Sequence, residues 1–117
     1  TSVFSQMAAI AALEGPQDSV GMMMEEFTKR RDLVVAGLNS LPGITCPEPK
    51  GAFYAFPNIT GTGLSSKEFA EKAMYEAGVA LLAGTAFGSF GDGYVRISFA
   101  NSQENLLEAI QRLRTIL

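Results

Sequence analysis

The stretch "GYVRISFA", residues 93–100, decides the reading of the fold, because it is an apolar strand pattern that carries one arginine. Side chains alternate between the two faces of a strand. One face of this strand carries Val95, Ile97 and Phe99, and this apolar face is expected to contact a layer of helices. The alternation therefore places Arg96 on the opposite, more polar face.

A guanidinium at that position has a defined chemical use. Its planar fork of N–H donors matches a carboxylate through two parallel hydrogen bonds. The segment before the strand, "GTAFGSFGDG" at residues 84–93, is rich in glycine, and glycine allows close backbone approach or positive φ. An ion pair of Arg96 with an internal carboxylate, or an arginine that is simply solvated, explains the same residue, and the glycines also fit an ordinary flexible connection.

The rest of the chain supplies helices and further short strands. Helices are predicted from Val3 to Leu13, from Asp18 or Ser19 to Leu41, from the Ser65–Glu68 capping box to Gly78, and from Asn101 or Ser102 onwards. Strands are predicted within residues 44–46, 52–56, 79–83 and 94–100, the third of them buried. Residues 1–117 thus predict one domain of the α+β class, a two-layer fold in which helices pack on one face of a small, mainly antiparallel sheet of about four strands.

Composition excludes several classes of function. The net charge of −3 gives no electrostatic footprint for nucleic acid. Histidine is absent and Cys46 is the single cysteine, which excludes the usual zinc sites and catalytic triads that need histidine, so no metal residue is predicted. A lone cysteine fits a reducing compartment, hence the cytoplasm. No apolar run approaches the roughly 20 residues needed to cross a bilayer, and the first residues do not resemble a signal peptide, so no membrane partner is expected.

Three blocks occur in the order typical of one enzyme family: "PKGAFYAF", "AGVALLAGTAFG" and "GYVRISFANSQENLLEAIQRL". With "TSVFSQMAAIAAL" and "RRDLVVAGLNSLPGI", they resemble the C-terminal part of class I aminotransferases, the pyridoxal-phosphate enzymes of the aspartate aminotransferase type. The chain departs from the family pattern at Ala83, where relatives usually have proline. The resemblance implies a small domain, with residues 1–16 as the tail end of the large domain, and a homodimer that uses amino acid and 2-oxo acid substrates.

The resemblance also implies roles for particular residues. In the family the arginine of the "YVRIS" strand binds the α-carboxylate of the substrate, which assigns this role to Arg96. The match to "GAFY" brings Phe53, and with it Tyr54, near the substrate, although core packing explains Phe53 equally well. Gly84 and Phe87 would form the wall behind Arg96. The segment that matches residues 1–5 approaches the active site of the partner subunit in relatives.

The cofactor lysine of the family is not predicted within this chain. None of the four lysines, Lys29, Lys50, Lys67 and Lys72, lies in the motif that surrounds that lysine in relatives. The resemblance implies that the lysine and the groups that hold pyridoxal 5'-phosphate lie upstream, in the large domain. No catalytic or cofactor-binding residue is therefore predicted here, and the isolated chain is expected to be inactive.

A stand-alone regulatory module that binds an amino acid without catalysis, built on a ferredoxin-like sheet, is the alternative. Isothermal titration calorimetry of the isolated chain with amino acids separates the two hypotheses. We expect no heat of specific binding, because half of an active site leaves most groups of the amino acid without a contact. Saturable binding would favour the regulatory module instead.

Overall fold

The computed structural model describes all 117 residues as four helices and three short strands. In chain order they are α1 (Val3–Glu14), α2 (Asp18–Asn39), β1 (Tyr54–Ala55), α3 (Ser66–Tyr75), β2 (Leu82–Ala83), β3 (Val95–Ser98) and α4 (Gln103–Arg114). Short 3₁₀ turns span Thr60–Thr62, Gly84–Phe87 and Ser89–Gly91. The predicted α+β class is confirmed.

β3 is the central strand of an antiparallel sheet with the order β1-β3-β2. Tyr54 of β1 is opposite Ser98, and Leu82 of β2 is opposite Arg96. Both neighbours of β3 are only two residues long, so the sheet is small and its two edges are close to Arg96.

The sheet has three strands rather than the predicted four. The segment predicted as the first strand, residues 44–46, makes only an isolated bridge between Thr45 and Asn58. Pro47 and Pro49 follow this segment. Because proline has no N–H donor, it cannot extend a ladder of backbone hydrogen bonds.

The helices cover one face of the sheet, and a single apolar core lies between the two layers. Val95 and Phe99 of the central region are fully buried, and the same core contains Leu38 of α2, Phe69 of α3 and Leu113 of α4. This confirms the prediction from strand alternation that the apolar face of β3 meets the helices. Burial of large apolar side chains contributes about 1.5–3 kcal/mol each, so these contacts determine which way the sheet faces.

α3 begins where the sequence predicted. The Glu68 carboxylate accepts a hydrogen bond from the backbone N–H of Ser65 at 2.9 Å, and the Ser65 hydroxyl accepts one from the N–H of Glu68 at 3.3 Å. The Ser65 hydroxyl also donates to this carboxylate at 2.6 Å, and this bond, together with the one from the Ser65 N–H, holds the pKa of the Glu68 carboxyl below its usual value. The reciprocal pair satisfies two N–H groups that the helix leaves free.

Two predictions about the core were wrong. The segment 79–83 is not a buried strand, because β2 is limited to Leu82–Ala83 at the edge of the sheet and Leu82 is exposed. The apolar spacing of α3 also predicts that Met74 faces the core with Phe69 and Ala73. It is exposed, because α3 contacts the core through Phe69 and Ala73, and the next residue along a helix is rotated by about 100°.

α1 makes no part of the core, and the first half of α2 contacts it through the partly buried Phe27. No residue of α1 is buried, and the buried residues of α2, Val34 and Leu38, both belong to its C-terminal half. The molecule is accordingly elongated, with extents of 53 × 29 × 24 Å. None of the helices combines the length and the apolar character that a bilayer-spanning segment needs.

Deleting residues 1–16 should therefore leave the stability of the remaining chain nearly unchanged. We expect the free energy of unfolding to differ by no more than about 0.5 kcal/mol, because exposed segments contribute little. Urea denaturation followed by circular dichroism measures it. Leu38→Ala in the complete chain is the comparison and should cost about 2–5 kcal/mol. A large loss on deletion would show that α1 packs on the domain.

Candidate carboxylate-binding site

Arg96 lies in the middle of β3, on the sheet face that the helices do not cover. It is opposite Leu82 in the ladder, and its neighbours Val95 and Ile97 point the other way. The side chain is half-buried, yet it makes no hydrogen bond and no ion pair with any residue of the chain. The alternative of a structural ion pair is therefore wrong for this chain, and the donors of the guanidinium are unused.

Two aromatic rings contact the Arg96 guanidinium. Its Cζ lies 4.3 Å from the ring centroid of Tyr54 and 4.5 Å from that of Phe87. Tyr54 belongs to β1, on one side of β3, and Phe87 ends the 3₁₀ turn that follows β2, the strand on the other side. Such contacts are favourable, since the negative face of a ring attracts a cation. They use none of the hydrogen-bond donors of the guanidinium.

The glycine-rich segment carries Phe87 to this position through a close crossing of backbone. The N–H of Gly84 donates to the carbonyl of Tyr94 at 2.8 Å. A Cβ atom on Gly84 would lie 2.1 Å from the carbonyl oxygen of Gly91, so only glycine fits there. Gly84 and Gly91 thus allow two segments of backbone to touch. This contact fixes the start of the 3₁₀ turn that ends at Phe87.

A buried serine fixes the other end of the same segment. The hydroxyl of Ser66 donates to the carbonyl of Gly91 at 3.2 Å and accepts from the N–H of Tyr94 at 3.1 Å. Ser66 is completely buried and is the first residue of α3. Sequence reasoning missed it, since the capping signal there belongs to Ser65 and nothing local distinguishes the second serine.

Phe53 lies beside the Arg96 site but not in the same pocket. Its ring is 40% exposed and lies 4.5 Å from the ring of Tyr54 and 6.2 Å from that of Phe27. It lines an open groove of about 280 Å³ between the middle of α2 and the turn before β1. Arg96 lines a smaller hollow of about 180 Å³ with Tyr54 and Ser98. The ring of Tyr54 contacts both the ring of Phe53 and the guanidinium of Arg96.

The turn before Phe53 has an unusual backbone. Ala52 has φ of 58°, the one positive φ at a residue other than glycine. This region of φ and ψ costs roughly 1–2 kcal/mol for a residue with a Cβ atom.

The lysines do not approach this site. None of the four lines the hollow that contains Arg96, and Lys50 and Lys67 instead form exposed ion pairs with Glu48 and Glu71. Cys46 does not line this hollow either. It is buried in the core, and burial raises the pKa of its thiol. The only unused charged group at the open sheet face is the guanidinium.

The fold and this site define a small α+β domain whose open sheet face presents an arginine in contact with two aromatic rings. The sequence model of the family described as "Aminotransferase class I and II" matches residues 1–113. The chain belongs to this family.

Individual relatives agree with the family match. The chain is 49% identical over 116 residues to an aspartate aminotransferase of Pyrococcus horikoshii and 48% identical to aromatic-amino-acid aminotransferase 2 of Thermococcus litoralis, covering 97% of this chain and 30% of the relative in both cases. The crystal structure of the aromatic aminotransferase from Pyrococcus horikoshii is similar with a TM-score of 0.90, at 46% identity over 95% of this chain and 30% of that one. The chain thus spans about 30% of the length of these relatives.

Gly84→Ala should destabilise the domain, because the new methyl group must displace the backbone at Gly91. We expect a loss of about 1–3 kcal/mol in the free energy of unfolding, measured by urea denaturation. Gly21→Ala is the matched control: it lies in α2 with nothing within 4 Å of the new Cβ atom. That variant should be stabilised, by about 1 kcal/mol at most. Equal stability of the two variants would contradict the close backbone contact between Gly84 and Gly91.

Proposed function

We propose that this chain is the C-terminal small domain of a pyridoxal-phosphate-dependent aminotransferase, in which Arg96 binds the α-carboxylate of the substrate. The intact enzyme transfers an amino group between an amino acid and a 2-oxo acid. The observation that carries the proposal is the guanidinium on the open sheet face, which has donors but no partner within the chain. Membership of the family supports the reaction class.

The geometry supports this role because a carboxylate completes what Arg96 lacks. Two N–H donors in one plane accept a carboxylate edge to edge, and each hydrogen bond to a charged group contributes about 1.5–3 kcal/mol. The rings of Tyr54 and Phe87 limit water near the guanidinium, which strengthens the electrostatic attraction. The contribution of Arg96 is to bind and orient the substrate.

The names of the relatives support a division between shared and variable recognition. They are named for aspartate, for aromatic amino acids and for LL-diaminopimelate. Every amino acid has an α-carboxylate, whereas the side chains of these three differ in charge and shape. An arginine that reads the α-carboxylate serves all of them, and side-chain preference is then determined by other residues, with Phe53 as the candidate from this chain.

The residues of this chain do not fit pyridoxal phosphate. The aldehyde of that cofactor needs a lysine amine, and no lysine lines the hollow around Arg96. We place the cofactor on residues outside this chain, where it supplies the electron sink for the transfer. We accordingly expect the isolated chain to be inactive, and in the intact enzyme this chain contributes to substrate binding.

The same proposal includes the domain division and the assembly. Residues 1–16 belong to the large domain, which is supported by the complete exposure of α1, and the rest of residues 1–117 forms the small domain. The intact enzyme is a homodimer, as is usual in the family. It is placed in the cytoplasm, in agreement with the free cysteine Cys46.

Arg96→Lys in the intact enzyme tests the proposal. An ammonium cannot form the paired hydrogen bonds, so kcat/KM for the amino acid should fall about tenfold to a hundredfold, mainly through KM. Steady-state kinetics with saturating 2-oxo acid measure it. Arg114→Lys is the matched control, because Arg114 is an exposed residue of α4 that contacts Ser40. Equal kinetics of Arg96→Lys and the wild type would mean that Arg96 does not bind substrate.

A further inference from the structure

The Arg96 side chain needs something to hold it before a ligand arrives. An arginine side chain has about 2 kcal/mol of rotamer entropy to lose. No hydrogen bond or ion pair within the chain fixes Arg96, although its side chain is half-buried. The contacts that restrict it are the rings of Tyr54 and Phe87, at 4.3 and 4.5 Å from its Cζ.

Tyr54 takes its place through the sheet. It is paired with Ser98 in the β1–β3 ladder, two residues along β3 from Arg96 on the same face. Its ring also lies 4.5 Å from that of Phe53. The Tyr54 hydroxyl makes no hydrogen bond within the chain, so the ring itself is the part that contacts Arg96.

Phe87 takes its place through the glycine-rich segment. It ends the 3₁₀ turn that begins at Gly84, and its ring meets that of Phe56 edge-on at 6.0 Å. Phe56 in turn stacks on Tyr94 at 5.5 Å. Phe87 is 51% exposed and lies outside the apolar core, so packing of the core does not explain a phenylalanine at this position.

We propose that Tyr54 and Phe87 are positioning residues that hold the Arg96 guanidinium through their rings, so that its N–H donors stay available to an incoming carboxylate. This inference rests on the proposed function of Arg96. Because both contacts are made by rings and not by hydrogen-bond acceptors, they restrict the guanidinium without using its donors. The two rings therefore act on the carboxylate shared by all amino acid substrates, and not on the variable side chain.

Phe87→Leu in the intact enzyme tests the inference, since it removes the ring and keeps an apolar side chain. We expect KM for the amino donor to rise about threefold to tenfold, as loss of a cation–π contact implies, while kcat changes by less than about twofold. The rise should be the same for L-aspartate and L-phenylalanine, which share the α-carboxylate. Phe87→Tyr, which keeps the ring, should restore most of the loss.

Phe90→Leu is the matched control, because Phe90 is in the same glycine-rich segment, is 99% exposed and does not contact Arg96. It should leave both KM values unchanged. Thermal denaturation checks that each variant is folded. If Phe87→Leu does not fold, Tyr54→Leu is the substitute, because it removes the other ring that contacts the guanidinium. We expect the same rise in KM and the same small change in kcat.

The double variant with Arg96→Leu identifies what each failure means. Leucine has no cation for the rings to contact, so Phe87→Leu should have little further effect on KM in that background. An equal effect in both backgrounds, an unchanged KM with a lower kcat, or different factors for the two amino acids would each overturn the inference. If Arg96→Lys itself leaves KM unchanged, the proposed function fails as well.

Discussion

The alternation of side chains along β3 is the constraint on which the rest of the structure depends. Val95 and Phe99 are buried under the helices, and a strand that buries both must direct Arg96 to the other side. The opposite register would bury an unpaired guanidinium in the core, which costs several kilocalories per mole. The hydrophobic effect therefore determines where the one unpaired cation of the sheet emerges.

The two faces of the sheet have separate tasks. The helix-covered face carries the core contacts of Leu38, Phe69 and Leu113, which provide the stability of the domain. The open face carries aromatic rings and Arg96, whose hydrogen-bonding capacity is unused. A site on a rigid strand is held more accurately than one on a loop, and this arrangement suits an enzyme that must orient its substrate.

The glycine-rich segment is a fixed part of the site rather than a flexible connection. Gly84 and Gly91 bring two stretches of backbone into contact, and the Ser66 hydroxyl bridges Gly91 and Tyr94. The sequence predicted close backbone approach or positive φ at these glycines. The close approach at Gly84 is between backbone and backbone, and it affects the Arg96 site through the position of Phe87.

The sequence by itself determined the features that depend on neighbours along the chain. Strand alternation placed Arg96, the capping box with Ser65 as N-cap marked the start of α3, and ordered motifs identified the family. Side chains repeat on one face every two residues along a strand and every three to four along a helix. These patterns are local, so they can be recognised without knowing the fold. The α+β class followed from them.

Only the tertiary structure decided which distant residues meet. Tyr54 and Phe87 come to Arg96 from two different sides of β3, and Ser66 reaches the glycine-rich segment from another helix. It also decided that segment 79–83 is an exposed edge and that prolines limit the first predicted strand to one bridge. Pairing, edges and burial depend on the position of every strand at once, and no local pattern in the sequence contains that information.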